Sequence, residues 1–114
     1  MIAEALAGKR IAITGSTGFL GTALVERLLR SVPDCDLVLL VRPGRRATPL
    51  RRVQREIYKN DAFNVLHELW GDDFDEIVAR RVQVVAGDVT SDGLGLSDDD
   101  RATYTSADIV IHSA

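Results

Sequence analysis

The sequence predicts an α/β fold, a parallel sheet of four strands in the order 3-2-1-4 with flanking helices. Three observations carry this expectation. Short apolar runs at Ile11–Ile13, Leu37–Val41 and Ile109–Ile111, with Val82, Val84 and Val85 between the last two, lack the polar alternation of a half-solvated strand and read as strands buried on both faces. Segments with helical apolar spacing separate them. Three glycines, Gly15, Gly18 and Gly21, fall between the first strand and the first helix.

The elements follow in chain order. Lys9-Arg10 leads into the first strand. Beyond the glycines, Leu20, Ala23, Leu24 and Leu28 recur at helical spacing, with Glu26, Arg27 and Arg30 assigned to the other face. Ser31-Val32-Pro33-Asp34 ends that helix, and Pro43-Gly44 stops the second strand. A long, mostly helical segment follows. Thr48-Pro49 supplies an N-cap and a first-position proline, and Leu50, Val53 and Ile57 keep helical period. Asn60-Asp61 breaks and restarts the chain, Phe63, Leu66 and Trp70 form the next stripe, and Phe74, Ile77 and Val78 mark a short third helix. Ser97 with Asp100 three residues on is an imperfect capping box for a helix running through Tyr104.

At 114 residues there is room for one domain, and 46% apolar content is enough for a core. The net charge of −3 argues against a protein built wholly for nucleic acid. Cys35 is the single cysteine, so no internal disulfide forms, which suits a reducing compartment. The longest aliphatic run is too short for a bilayer, and Met-Ile-Ala-Glu lacks the layout of a secretion signal. The expectation is a soluble, cytoplasmic chain.

The stretch IAITGSTGFLG acquires a mechanism from its neighbours. Strand, glycine-rich turn and helix together form the first half of a dinucleotide-binding unit of Rossmann type. Gly15 makes the tight turn, Gly18 admits a pyrophosphate to the backbone, and Gly21 lets the helix pack closely on the strand. The anion rests on N–H groups at the helix N-terminus, and Ser16 and Thr17 can add hydroxyl donors. A plain βα turn would need only one glycine.

The second strand ends in LVLLVRPGRR. An acidic tip would bind the ribose 2′-hydroxyl of NAD, whereas Arg42, with Arg45 and Arg46 beyond it, suits the 2′-phosphate of NADP(H). Six arginines lie between Arg42 and Arg55, but no aromatic residues interleave them, so a nucleic-acid surface is set aside. Asp88, in AGDVT, can accept from the adenine amino group with Val89 beside the ring, although a turn aspartate is its ordinary role. Ser113 and Ala114, ending IHSA, are small enough for a cofactor to lie against. His112 reads as a packed strand-end residue, and His67 as a half-buried helix residue. Cys35 has no ligating neighbour, and Asp98-Asp99-Asp100 reads as a helix start rather than a calcium loop.

Together these residues resemble the extended short-chain dehydrogenase/reductase superfamily, whose T-G-x-x-G-F-L-G pattern TGSTGFLG matches. The closer resemblance is to fatty acyl-CoA reductases. It is carried by GKRIAITGSTGFLGTALVERLLRSVPD, VLLVRPGR, REIYKNDAFNVL and GDVTSDGLGLSDDD, so nearly the whole chain is covered. The resemblance implies NADPH-dependent reduction of a fatty acyl-CoA to aldehyde or alcohol. It implies Thr14, Gly15, Ser16, Thr17, Gly18, Phe19, Leu20 and Gly21 at the pyrophosphate, and Arg42 with Arg52 at the 2′-phosphate. Asp88 and Val89 would then lie at the adenine, with Ser113 and Ala114 toward the ribose and nicotinamide. The family also uses a Tyr-x-x-x-Lys pair. Tyr58 is followed by Ala62 at that spacing and Tyr104 by Asp108, so neither qualifies. Residues 1–114 are therefore expected to be the N-terminal part of the NADP(H)-binding domain, inactive alone, with the catalytic pair and the acyl-binding domain beyond Ala114. Other expectations kept open are a reductase or epimerase of nucleotide sugars and a non-catalytic NADP(H)-sensing module. The fourth strand, Asp108 to His112, would be an exposed apolar edge that makes the fragment self-associate.

Overall fold

The computed structural model describes residues 2–32 and 34–113, with side chains from Glu4 onward. After a short helix α1 (Ile2–Leu6), β1 (Arg10–Thr14) leads through the glycine turn into α2 (Phe19–Ser31) and back to β2 (Asp36–Val41). The insert comprises α3 (Pro49–Arg52), a π-helical turn (Val53–Ile57), α4 (Asn64–Trp70) and α5 (Phe74–Arg81), and it delivers β3 (Val82–Ala86). α6 (Asp98–Thr105) precedes β4 (Ile109–His112). All pairings are parallel and the order is β3-β2-β1-β4, as the sequence predicts. Register places Thr14 opposite Leu40 on one side and His112 on the other, so the carboxyl ends of β1, β2 and β4 finish level.

Strand alternation divides the core between two faces. Ile11, Ile13, Leu37, Leu39 and Val41 face α2 and the insert, where Phe63, Leu66, Phe74 and Val78 meet them. Ala12, Val38, Leu40 and Val85 form the smaller core under Leu94, Leu96 and α6. Within the insert Phe74 is the hub: Tyr58 and Phe63 meet it edge-on at 5.5 and 6.3 Å, and His67 stacks on it at 4.0 Å. His67 also lies 2.7 Å from the Tyr58 carbonyl, which gives it a structural role. Caps form where Thr48 and Ser97 predict them, and at the Asn60-Asp61 restart the Asn60 side chain accepts from the Ala62 N–H. The capping box stays half-made: Ser97 accepts from the Asp100 N–H, while the Asp100 carboxylate accepts from the Ala86 N–H at the end of β3.

Two details correct the sequence expectation. α2 buries Gly21, Val25, Leu28 and Leu29, while Leu20 and Ala23 are exposed and Leu24 is only half-buried. The reason is Gly21, which lies directly on the β1 turn and fixes the rotation of the helix. Glu26, assigned to the outer face, is consequently buried, and Arg30 one turn on pairs with it at 2.8 Å. The π-helical turn is the second difference. The Tyr58 N–H bonds to the Val53 carbonyl at 3.0 Å, inserting an extra residue into a stretch that regular period assigns to an ordinary helix.

Behind the sheet, Arg81 reaches across to donate to the carbonyls of Leu29, Val32 and Cys35, closing the C-terminal end of α2. Cys35 is fully buried, and that burial pushes its thiol pKa up against the opposing pull of Arg81. It is an inert core thiol.

Candidate functional site

The carboxyl ends of β1, β2 and β3 enclose a cleft of about 200 Å³ lined by Gly15, Ser16, Thr17, Leu40, Val41, Arg42, Arg52, Gly87, Asp88 and Val89. Its floor is the glycine turn. Gly15 adopts φ +72°, a left-handed conformation in which a side chain is strained. A Cβ on Gly21 would sit 2.0 Å from the Gly15 carbonyl oxygen, so only glycine permits this approach of α2 to the turn. Gly18 is extended, and a Cβ there would stand 3.4 Å from the same oxygen, an ordinary contact, so packing does not require a glycine at this position. Among the described residues the N–H groups of Thr17, Phe19 and Leu20 donate to no carbonyl, so the start of α2 presents free donors. Among the described residues the Ser16 hydroxyl is buried without a partner, so it can bond a ligand oxygen or a water.

The other walls carry charge and shape. Arg42 is exposed at the tip of β2, and its carbonyl accepts from Arg52 Nη1 at 2.5 Å. Arg52 thus reaches the cleft from α3, ten residues along the chain, while its Nε and Nη2 grip Glu56 at 2.6 and 3.1 Å. Gly87 donates to the Val41 carbonyl, and a Cβ there would collide with Leu40 and with the Leu94 carbonyl. Asp88 accepts from the Thr90 N–H and hydroxyl through Oδ1, and these bonds, with Arg42 pulling the same way, hold its carboxyl below the usual range. Its Oδ2 has no partner among the described residues and can accept from an amine. Val89 is 45% exposed beside it.

The predicted residues divide into those the cleft unites and those it does not. Gly15, Ser16, Thr17, Arg42, Arg52, Asp88 and Val89 line it together. Phe19 and Leu20 are strongly exposed at the start of α2. Thr14 is fully buried: its hydroxyl lies 3.0 Å from His112 Nδ1, and its carbonyl accepts from both the N–H and the hydroxyl of Ser113. Thr14 and Ser113 therefore tie β1 to β4 and set the position of the turn, while His112, expected to be packed, is exposed apart from that contact. Ala114 lies outside the described residues. Sequence reasoning missed Glu56 and Gly87. The first was legible only as an i, i+4 partner of Arg52, and the second as a glycine directly after a strand. Neither tyrosine is activated: burial pushes the pKa values of Tyr58 and Tyr104 up. Among the described residues no group of three or more His, Cys, Asp or Glu side chains forms a metal site, and no helix is long and apolar enough to cross a membrane.

The donor turn, the basic wall and the free carboxylate oxygen fit the adenosine, phosphate and pyrophosphate parts of a nicotinamide dinucleotide. Comparison with known proteins agrees. The chain is 40% identical over 98 residues to an alcohol-forming fatty acyl-CoA reductase of Simmondsia chinensis, covering 85% of this chain and 20% of that protein. It is 36% identical over 115 residues to fatty acyl-CoA reductase 1 of Homo sapiens, covering 99% and 21%. The chain thus spans about a fifth of the length of these curated relatives. Among solved structures, the PhqB reductase domain from Penicillium fellutanum superposes with a TM-score of 0.65 at 31% identity, over 95% of this chain and 27% of that one. A thiolation-reductase di-domain from an archaeal non-ribosomal peptide synthetase gives 0.62 at 26% identity, over 96% and 20%. The NAD-binding family model described as "Male sterility protein" matches residues 13–114, and the chain belongs to that family.

Proposed function

We propose that this chain is the cofactor-binding portion of an NADPH-dependent fatty acyl-CoA reductase. The observation that carries the proposal is the junction, in one cleft, of the glycine turn with Arg42 and Arg52. A 2′-phosphate is the part of NADPH that two guanidinium groups at a β2 tip recognise, and an NAD site would place a carboxylate there. The choice of an acyl thioester as substrate follows the names of the relatives.

In this reading the bound dinucleotide supplies hydride to a thioester carbonyl. The turn from Gly15 to Gly21 holds the pyrophosphate, Arg42 and Arg52 hold the 2′-phosphate, and Asp88 Oδ2 and Val89 orient the adenine. Ser113 borders the path toward the nicotinamide. A Tyr-x-x-x-Lys pair that protonates the carbonyl oxygen, together with the acyl-binding domain, belongs to sequence beyond Ala114. The domain works in the cytoplasm, where Cys35 stays reduced. Mixing the natural full-length protein with a long-chain acyl-CoA is expected to consume NADPH, faster than NADH, while residues 1–114 alone consume neither. Turnover of a nucleotide sugar in place of the acyl-CoA would contradict the assignment.

Among the described residues β4 pairs only with β1 and exposes Val110, which leaves its outer edge without a neighbour there. An open strand of this kind recruits another chain, and light scattering is expected to find the fragment above monomer mass. A monodisperse monomer would count against this.

A further inference from the structure

Arg52 is the wall between two clefts. On one side lies the space of about 200 Å³ shared with Arg42 and the glycine turn. On the other lies a cup of about 320 Å³ shared with Arg45, Arg46 and Glu56. A guanidinium has five N–H donors. Nε and Nη2 each give one to the Glu56 carboxylate and Nη1 gives one to the Arg42 carbonyl, which leaves one N–H on each terminal nitrogen without a partner among the described residues. An ordinary surface pair of this spacing adds little to stability. This one differs in that the Arg52 side chain is only 21% exposed, is anchored at a third point to the β2 tip, and is followed at once by the π-helical turn that carries Glu56. Arg52 holds the Glu56 carboxyl below its usual range, so the carboxylate is ionised at neutral pH.

We infer that Glu56 sets the cofactor selectivity of the cleft: as the counter-charge gripping Arg52, it limits the pull of that guanidinium on a 2′-phosphate and so restrains the preference for NADP(H) over NAD(H). The inference rests on the proposal that Arg52 meets the 2′-phosphate. Its physical basis is competition. A phosphate arriving at the two leftover donors meets a guanidinium already half-neutralised, and it also meets the negative charge of Glu56 on the far side of the same group. A 2′-hydroxyl carries no charge, so NADH binding is indifferent to that carboxylate.

The test is titration of the natural full-length protein with NADPH and with NADH, for wild type, Glu56→Gln and Arg52→Ala. The amide in Glu56→Gln keeps an oxygen acceptor for the guanidinium and removes the charge, and the partly exposed position tolerates it. The expected result is an NADPH Kd lowered about three- to tenfold in E56Q, with the NADH Kd unchanged and reporting an intact site. An NADPH affinity that is unchanged or weakened in E56Q, while R52A weakens NADPH alone, overturns this inference and leaves the 2′-phosphate assignment standing. An R52A variant that binds NADPH like wild type removes Arg52 from the phosphate site and overturns both.

Discussion

Gly21→Ala is expected to lower the melting temperature of the domain by about 10–20 °C and to remove dinucleotide binding. The added methyl would lie 2.0 Å from the Gly15 carbonyl oxygen and 2.7 Å from both the Gly15 carbonyl carbon and the Ser16 Cα. All three atoms are backbone, so no rotamer change relieves the contact. Either α2 lifts from the sheet, opening the packing of Val25, Leu28 and Leu29, or the turn moves and carries its donors away from the ligand. Gly18→Ala is the internal control. Its methyl would make only a 3.4 Å contact in a conformation alanine accepts, so the melting temperature is expected to stay near wild type, and under the proposed pyrophosphate role of the turn NADPH binding is expected to weaken. Thermal melts with and without NADPH check both variants. A Gly21→Ala protein that melts like wild type would contradict the packing role of this glycine.

Arg42→Ala is expected to weaken NADPH binding by about 1–3 kcal/mol, roughly five- to 150-fold, with NADH nearly unaffected. Arg42 is exposed at the β2 tip, so its removal leaves no cavity and the fold is preserved. Its carbonyl, the anchor for Arg52, is backbone and survives the substitution. The loss therefore reports the side chain's contact with a charged group that NADH lacks. Calorimetric titration of both cofactors checks it, and equal losses would move Arg42 to a part of the cofactor common to both.

β1 and β2 were legible because each is a continuous buried run closed by glycine or proline. The outer strands depart from the expected burial on both faces: Gln83 is exposed in β3, and β4 alternates with Val110 and His112 exposed, because each has a neighbour on one side only among the described residues. Two of the three glycines were legible for a related reason: Gly15 takes a left-handed φ that strains a side chain, and Gly21 has backbone where a Cβ would stand. The buried face of α2 was not. Leucine spacing favoured a stripe through Leu20 and Ala23, but the Gly21 contact rotates the helix onto Val25 and Leu29 and draws Glu26 inside with Arg30 as its partner. Tertiary contact overrode local pattern there. Side-chain commitments were equally hidden. Thr14 sits in the motif, yet its hydroxyl is tied to His112, 98 residues on, a pairing only the sheet register creates. Glu56 lay in plain view one helical turn after Arg52, but its meaning depends on Arg52 reaching the β2 tip.

The ratio of NADPH to NADH affinity in the natural full-length wild-type protein decides what the basic wall of the cleft binds. A cleft in which the glycine turn holds pyrophosphate and Arg42 with Arg52 holds a 2′-phosphate is expected to bind NADPH at least about tenfold more tightly. Equal affinities, or tighter NADH, would contradict the assignment of the basic wall to the 2′-phosphate.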